Sequence, residues 1–282
     1  MTDLIALVDG SAYSTSVCDH AAWIAGRTDR RVIVAHILGH RQGVKSDLSG
    51  NIGLGARTAL LEELAELDEA RARLAQKRGR AILEDAKARL EADGVRRVET
   101  RLRNGDLVET VQGMEADADL ILIGKRGEAA ETAKLHLGSN VERVVRASTK
   151  PVLVCNQAFK PIKRIMVAFD GGPQSLKAVD HVARSKVFAG TDCHLLFVGA
   201  ETAETRSRID GAAALLRGGG YNVTTGIAAA PAEDAIPAQI TAENIDLLIM
   251  AGYRHSRIRS MIVGSTTSEV MRSSPIPFLL LR

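Results

Sequence analysis

The sequence predicts an α/β fold of two tandem doubly wound domains, each a five-stranded, mostly parallel sheet with helices on both faces. Three observations lead there. Short apolar runs alternate with helical stretches, the order expected of βαβ units. The runs are unbroken, as strands of a parallel sheet covered on both faces must be. The whole series then occurs a second time in the same order. A length of 282 residues suits two domains of ordinary size, placed at 1–157 and 162–282.

Each half reads β-α-β-α-β-α-β-α-β. Asp3-Leu-Ile-Ala-Leu-Val-Asp9-Gly10 gives the first strand, and a helical stretch follows from Ser14 to Arg27. The second strand is Val32 to Leu38. Residues 41–80 form an insertion that opens on Gly43, Gly50, Gly53 and Gly55, then turns amphipathic from about Arg57 to Ala92. Leucines there recur at spacings near three and four, the helical period. The expected form is a long crossover helix packed on the sheet, with a coiled-coil surface as the alternative. Ala118 to Gly124 is the fourth strand, Leu137-Gly138-Ser139-Asn140 opens the last helix, and Pro151 to Val154 closes the half.

After a linker near Asn156 to Lys163, the series restarts. Arg164 to Gly171 echoes the first strand and its Asp-Gly, and Gln174 to Phe188 echoes the first helix. Cys193 to Val198, Ile245 to Ala251, Val263-Gly264-Ser265-Thr266 and Pro277 to Leu280 complete the match.

Composition narrows the function. Apolar residues make up 45% and charged residues 25%, a globular balance. Aromatic residues are only 3%, so the cores are aliphatic and base-stacking platforms for single-stranded nucleic acid are lacking. A formal charge of +3 is too small to call for a nucleic-acid or membrane partner. The bases Arg71, Arg73, Lys77, Arg78 and Arg80 sit among acids, the pattern of a solvated helix. Three distant cysteines suggest neither a disulfide framework nor a metal site. No signal-peptide pattern opens the sequence, and no apolar run approaches the ~20 residues of a membrane span. A reduced, cytoplasmic protein is expected.

Doubly wound sheets bind ligands beyond the carboxyl ends of their strands, where the winding reverses. Two loops of the first half carry suitable residues. In the Asp9-Gly10-Ser11 turn a carboxylate can accept from a ribose hydroxyl or an adenine amino group, although strand-terminal Asp-Gly is equally an ordinary turn. Gly124-Lys-Arg-Gly127 lets backbone amides approach phosphate oxygens, with charge from Lys125 and Arg126. The helix opening at Gly138, Ser139 and Asn140 adds unpaired amides and a favourable dipole end. The bland alternative is a surface loop with Ser139 as helix cap.

These residues resemble the universal stress protein family in its tandem two-domain form. The match rests on the strand-Asp-Gly opening, the run Asp117-Ala-Asp-Leu-Ile-Leu-Ile-Gly124-Lys-Arg-Gly127, and Val141 to Val154. The resemblance implies ATP or another adenine nucleotide as ligand, with magnesium as an optional companion. It implies that Asp9 contacts the nucleoside and that the backbone of Ala35, His36 and Ile37 meets the adenine. Gly124, Arg126 and Gly127 would line the ribose-phosphate side, with Gly138, Ser139 and Asn140 holding phosphates. The family pattern G-x2-G-x9-G-(S/T) is met with ten residues, not nine, between Gly127 and Gly138. The halves are expected to pack through their last strands like subunits of the family's dimer, with further self-association left open.

The second half keeps Asp170, Gly264, Ser265 and Thr266, but Ala251 and Arg254 replace the loop glycines, which suggests a degenerate site. Catalytic groups are thin. Seven scattered histidines show no metal spacing, His36 and His194 lie inside strands, His136 and His255 fall on the loops, and Ser11 and Ser139 lack a base. The sequence thus points to a stress-response or signalling protein that binds a nucleotide, non-catalytic or a slow ATPase. A scaffold with vestigial sites is the alternative. An adenylate-transferring enzyme has only fold analogy behind it.

Overall fold

The structure, a computed structural model, describes residues 3–39, 54–127, 138–251 and 265–281. The first half runs β1 (Asp3–Leu7), α1 (Ala12–Thr28), β2 (Val32–Leu38), α2 (Leu54–Ala92) and β3 (Val98–Asn104). It continues through α3 (Leu107–Met114), β4 (Ala118–Gly124), α4 (Ser139–Ala147) and β5 (Val152–Cys155). The second half repeats this order with β6 (Arg164–Phe169), α5 (Pro173–Arg184), β7 (Asp192–Val198), α6 (Ala203–Gly218) and β8 (Asn222–Ala228). It ends with α7 (Ala232–Ala242), β9 (Leu247–Ala251), α8 (Ser265–Ser273) and β10 (Phe278–Leu281).

All ten strands form one sheet in the order β3-β2-β1-β4-β5-β10-β9-β6-β7-β8. Pairing is parallel within each half, and the halves join where β5 meets β10 antiparallel, with Leu153 opposite Leu279. Strand alternation sends Leu4, Ala6 and Val8 to one face and Ile5 and Leu7 to the other. The first face is covered by α1, α2, α5 and α6, the second by α3, α4, α7 and α8. Both faces are therefore buried, which is why the inner strands are mostly apolar.

The third strands, β3 and β8, read VETRLRN and NVTTGIA. They lie at the two sheet edges, where half-exposure admits polar and charged side chains. No apolar run marks them.

Among the described side chains of α2, only those of its C-terminal part pack on the sheet as expected, through the buried Leu83, Ala86 and Leu90. Further towards its start, Leu61, Leu67 and Leu74 are exposed. Beyond the β5–β10 seam, Trp23 of α1 lies against Phe188 with ring centroids 6.4 Å apart, and Arg27 Nε donates to Val187 O at 2.6 Å. None of the described helices is long and apolar enough to cross a membrane.

Candidate functional site

Strand β1 has β2 on one side and β4 on the other, so the winding of the first half reverses between β1 and β4. The loops leaving these two strands face the same crevice. At the end of β1 the chain turns through Gly10, whose φ of +79° favours glycine. A Cβ there would also press on Ile82 Cδ1 at 2.8 Å. Asp9 Oδ1 accepts hydrogen bonds from Ser11 N at 3.0 Å and Ser14 Oγ at 3.2 Å. Ser14 Oγ in turn accepts from the amides of Asp9 and Gly10 at 3.1 and 3.0 Å. The carboxylate predicted to meet a nucleoside is thereby held in one orientation. Ser11 accepts from Tyr13 N and caps α1.

Sequence reasoning missed Ser14. The signal was present in the repeat, because Ser175 stands five residues after Asp170 and donates to its Oδ1 at 2.5 Å.

The loop after β4 lies against this turn. A Cβ built on Gly127 would sit 2.7 Å from Asp9 Oδ2, and one on Gly124 would sit 2.6 Å from Tyr13 Cβ. Real Cβ atoms do not approach so closely, so both positions need glycine for space. Gly138 closes the cluster. Its N donates to Lys125 O at 3.2 Å, and a Cβ on it would lie 3.6 Å from Arg126 Cα. Gly138, not Ser139, is the N-cap of α4, and among the described residues no side chain caps the helix. The amides of Ser139 and Asn140 belong to the first turn of α4, which the helix's own hydrogen bonds do not pair, and both residues are exposed. Asp9, Gly124, Arg126, Gly127 and Gly138 thus come together where the β1 and β4 loops meet, with Ser139 and Asn140 next in α4.

Lys125 does not join them. Its side chain is buried and its Nζ donates to Arg272 O at 3.0 Å and Ser274 O at 2.7 Å, at the end of α8. Burial, and then the charge of Arg126, pull the amine from 10.5 to about 8. The charge predicted for the ligand instead ties the halves together.

On β2, pairing with β1 ends at Leu7 opposite Ala35, with one further bond from Val8 N to Ala35 O. Pairing with β3 runs on to Leu38. The backbone at Ile37 therefore extends beyond the last paired residue of β1, on the crevice side. The His36 ring turns into the protein, where Nδ1–H donates to Val8 O at 2.7 Å. Gly79 of α2 packs on this ring, and a Cβ there would be 2.9 Å from His36 Cδ2.

In the second half, Asp170 Oδ1 accepts from Gly172 N at 2.8 Å as well as from Ser175. Gly171 repeats the positive φ of Gly10, at +76°. Its neighbour is Arg208 of α6, whose Nη1 donates to Gly171 O at 3.4 Å, where the first half has Ile82. Arg254, Gly264, His136 and His255 lie outside the described residues. Ser265 and Thr266 open α8, but their side chains lie outside them too.

His20 and His194 belong to the packing. His20 Nδ1 donates to Ser16 O at 2.7 Å with Phe159 edge-on at 4.8 Å, and burial lowers its pKa. His194 bonds Thr224 Oγ1 at 2.9 Å, and burial lowers its pKa as well. Cys18, Cys155 and Cys193 are all buried, and burial pushes the Cys18 thiol up to about 12. Among the described residues no three His, Cys, Asp or Glu side chains group to hold a metal ion.

The chain matches the family model described as the universal stress protein family over residues 1–156 and 198–282. It is 32% identical over 287 residues to universal stress protein Slr1230 of Synechocystis, covering all of both chains. A universal stress protein structure from Archaeoglobus fulgidus superposes with a TM-score of 0.72 at 20% identity, covering 100% of this chain and 96% of that one. The Pseudomonas aeruginosa protein PA1789, of unknown function, gives 0.65 at 15% identity, covering 100% and 92%. At these identities the two structures bear on the fold alone.

Proposed function

Because the chain belongs to the universal stress protein family, we propose that it is a stress-response or signalling protein that holds an adenine nucleotide, ATP or AMP, chiefly in its first half. The site is the crevice between β1 and β4. Asp9 takes the nucleoside and the backbone from Ala35 to Ile37 meets the adenine. Gly124, Arg126 and Gly127 line the ribose-phosphate side, and the amides at Gly138, Ser139 and Asn140 receive phosphates. Magnesium enters only as the nucleotide's own counter-ion. The observation that carries the reading is the contact between the two loops. Asp9 Oδ2 stands 2.7 Å from where any side chain at Gly127 would begin, so a nucleoside-binding carboxylate and a bare backbone share one wall.

The protein acts by binding, with at most slow hydrolysis. The Ser11 and Ser14 hydroxyls brace the loop itself, which leaves them poorly placed as nucleophiles. Its two domains, 1–157 and 162–282, behave as a pseudo-dimer joined through β5 and β10 and work in the cytoplasm. The second site, at Asp170, Arg254, Gly264, Ser265 and Thr266, is weaker, because Ala251 stands where the first half has Gly124 and Arg208 covers Gly171. That same replacement favours the second reading, a partner-binding scaffold with vestigial sites.

Calorimetric titration with ATP and AMP, paired with native mass spectrometry of the purified protein, tests both readings. Wild type binds, and Gly127→Val loses binding at least tenfold while its melting curve keeps one sharp transition. If Gly127→Val binds ATP as wild type does, the loop assignment is wrong. A protein that purifies empty and shows no thermal shift at millimolar nucleotide is the scaffold.

A further inference from the structure

The first part of α2 stands away from the body of the protein. Between Leu60 and Arg78 nearly every residue is exposed, and burial resumes only at Gly79 and Leu83. At 1.5 Å per residue this arm is about 27 Å long. Leu60, Leu64, Leu67 and Leu74 follow one another at spacings of four, three and seven, the seam of a coiled coil. Leu67 is 48% exposed and Leu74 67% exposed, so none of the described residues covers the seam there.

Charge along the arm is sorted into two blocks. Glu62, Glu63, Glu66, Asp68 and Glu69 precede position 70, and Arg71, Arg73, Lys77, Arg78 and Arg80 follow it. Where the blocks meet, Asp68 pairs with Arg71 at 3.5 Å and Glu69 with Arg73 at 3.1 Å. These pairs are largely exposed and hold little energy. Two such arms side by side in parallel would set acid against acid and base against base. Turned antiparallel about a two-fold axis near Ala70, each acidic block lies along the other arm's basic block, and Leu67 of one approaches Leu74 of the other. A self-complementary surface of this kind is what an isologous dimer requires.

We propose that the arm of α2 is a homodimerisation surface, occupied by the arm of a second copy of this chain in antiparallel orientation. This holds whether or not the crevice binds a nucleotide.

Sedimentation equilibrium of the full chain tests it. Wild type is a dimer whose dissociation constant rises at least tenfold between low and 1 M salt, since the steering charges are exposed. Two charge variants separate this contact from any other. R71E/R73E/R78E makes the arm acidic, and E62K/E63K/E66K makes it basic. Each alone is monomeric, and mixing them restores a one-to-one dimer, a rescue that frayed or misfolded arms would not give. Leu67→Ser with Leu74→Ser weakens the dimer without altering the circular dichroism of the body. The native cysteines are buried, so introduced thiols report on orientation. A mixture of Leu67→Cys and Leu74→Cys chains forms mixed disulfides faster than either forms its own. A monomeric wild type, a dimer indifferent to the charge variants, or faster self-linking of each cysteine variant overturns the proposal.

Discussion

Asp9 and Asp170 are each fixed by a serine five residues further on, Ser14 and Ser175. Ser14→Ala removes a hydroxyl that serves one carboxylate and two backbone amides. A loss of about 1 kcal/mol in urea-melt stability is expected, the usual worth of such a bond. Weaker ATP affinity in calorimetric titration should accompany it. Ser175→Ala should cost similar stability and leave first-half affinity alone, and equal effects on ATP binding would break the assignment. That the loops after β1 and β4 meet was legible in the sequence, because neighbouring strands of a doubly wound sheet end on the same side. Tyr13 was not, because its role arises only when β4 comes alongside, and Ser14 showed only in the repeated spacing of a serine five residues after each aspartate. Lys125 misled for a related reason: its sequence neighbours are site residues, but its side chain leaves the loop on the opposite side. Its lowered pKa carries a consequence for stability. Folded, the amine titrates near 8, while its ordinary value is 10.5. Between those values the unfolded chain holds the extra proton, so this group makes stability rise with pH from 8 to 10.5. Below pH 8 both states are charged and the full penalty of burial applies. Lys125→Met leaves two carbonyls without their donor, costing about 1–3 kcal/mol, and should abolish that rise. Urea midpoints of wild type and variant across this range check it, since other groups cancel in the difference.

Among whole elements, the inner strands and the helix periods were readable because burial on both faces dictates composition. β3 and β8 followed only from the expected strand count, since an edge strand with one neighbour needs no apolar run. α2 was readable as a helix but not in its packing. One leucine period spans a segment that lies on the sheet and a segment that leaves it, and periodicity alone does not report where a helix loses contact with the body. α6 shows the contrast within two residues. Leu216 is fully buried under β7 and β8, while the adjacent Leu215 is 46% exposed. Leu216→Ala should cost about 2–5 kcal/mol, whereas Leu215→Ala should change stability by no more than about 0.5 kcal/mol. Paired urea denaturation curves give the comparison, and similar losses for the two would mean that the helix is rotated from its described face.

At the scale of the molecule, the duplication that organises the sequence has become one ten-stranded sheet, and its two halves share more than a seam. β5 and β10 pair through Val152, Leu153 and Val154, all buried. Each strand would otherwise present an apolar edge, a hazard that the other covers. The packing continues across the junction. Leu153 and Cys155 belong to the same apolar cluster as Ile165, Leu279 and Leu281. Lys125, Trp23 and Arg27 reach from the first half to the second. Separation of the halves would expose all of this surface at once, so neither half should melt ahead of the other. Scanning calorimetry is expected to give one transition whose calorimetric and van't Hoff enthalpies agree. Phe278 sits on the seam, opposite Val154, with no exposure. Phe278→Ala should lower stability by about 3–5 kcal/mol and move the single transition downward as a whole. Two resolved transitions in wild type would mean that the seam is an edge contact between independent domains. In that case the variant should shift only the second.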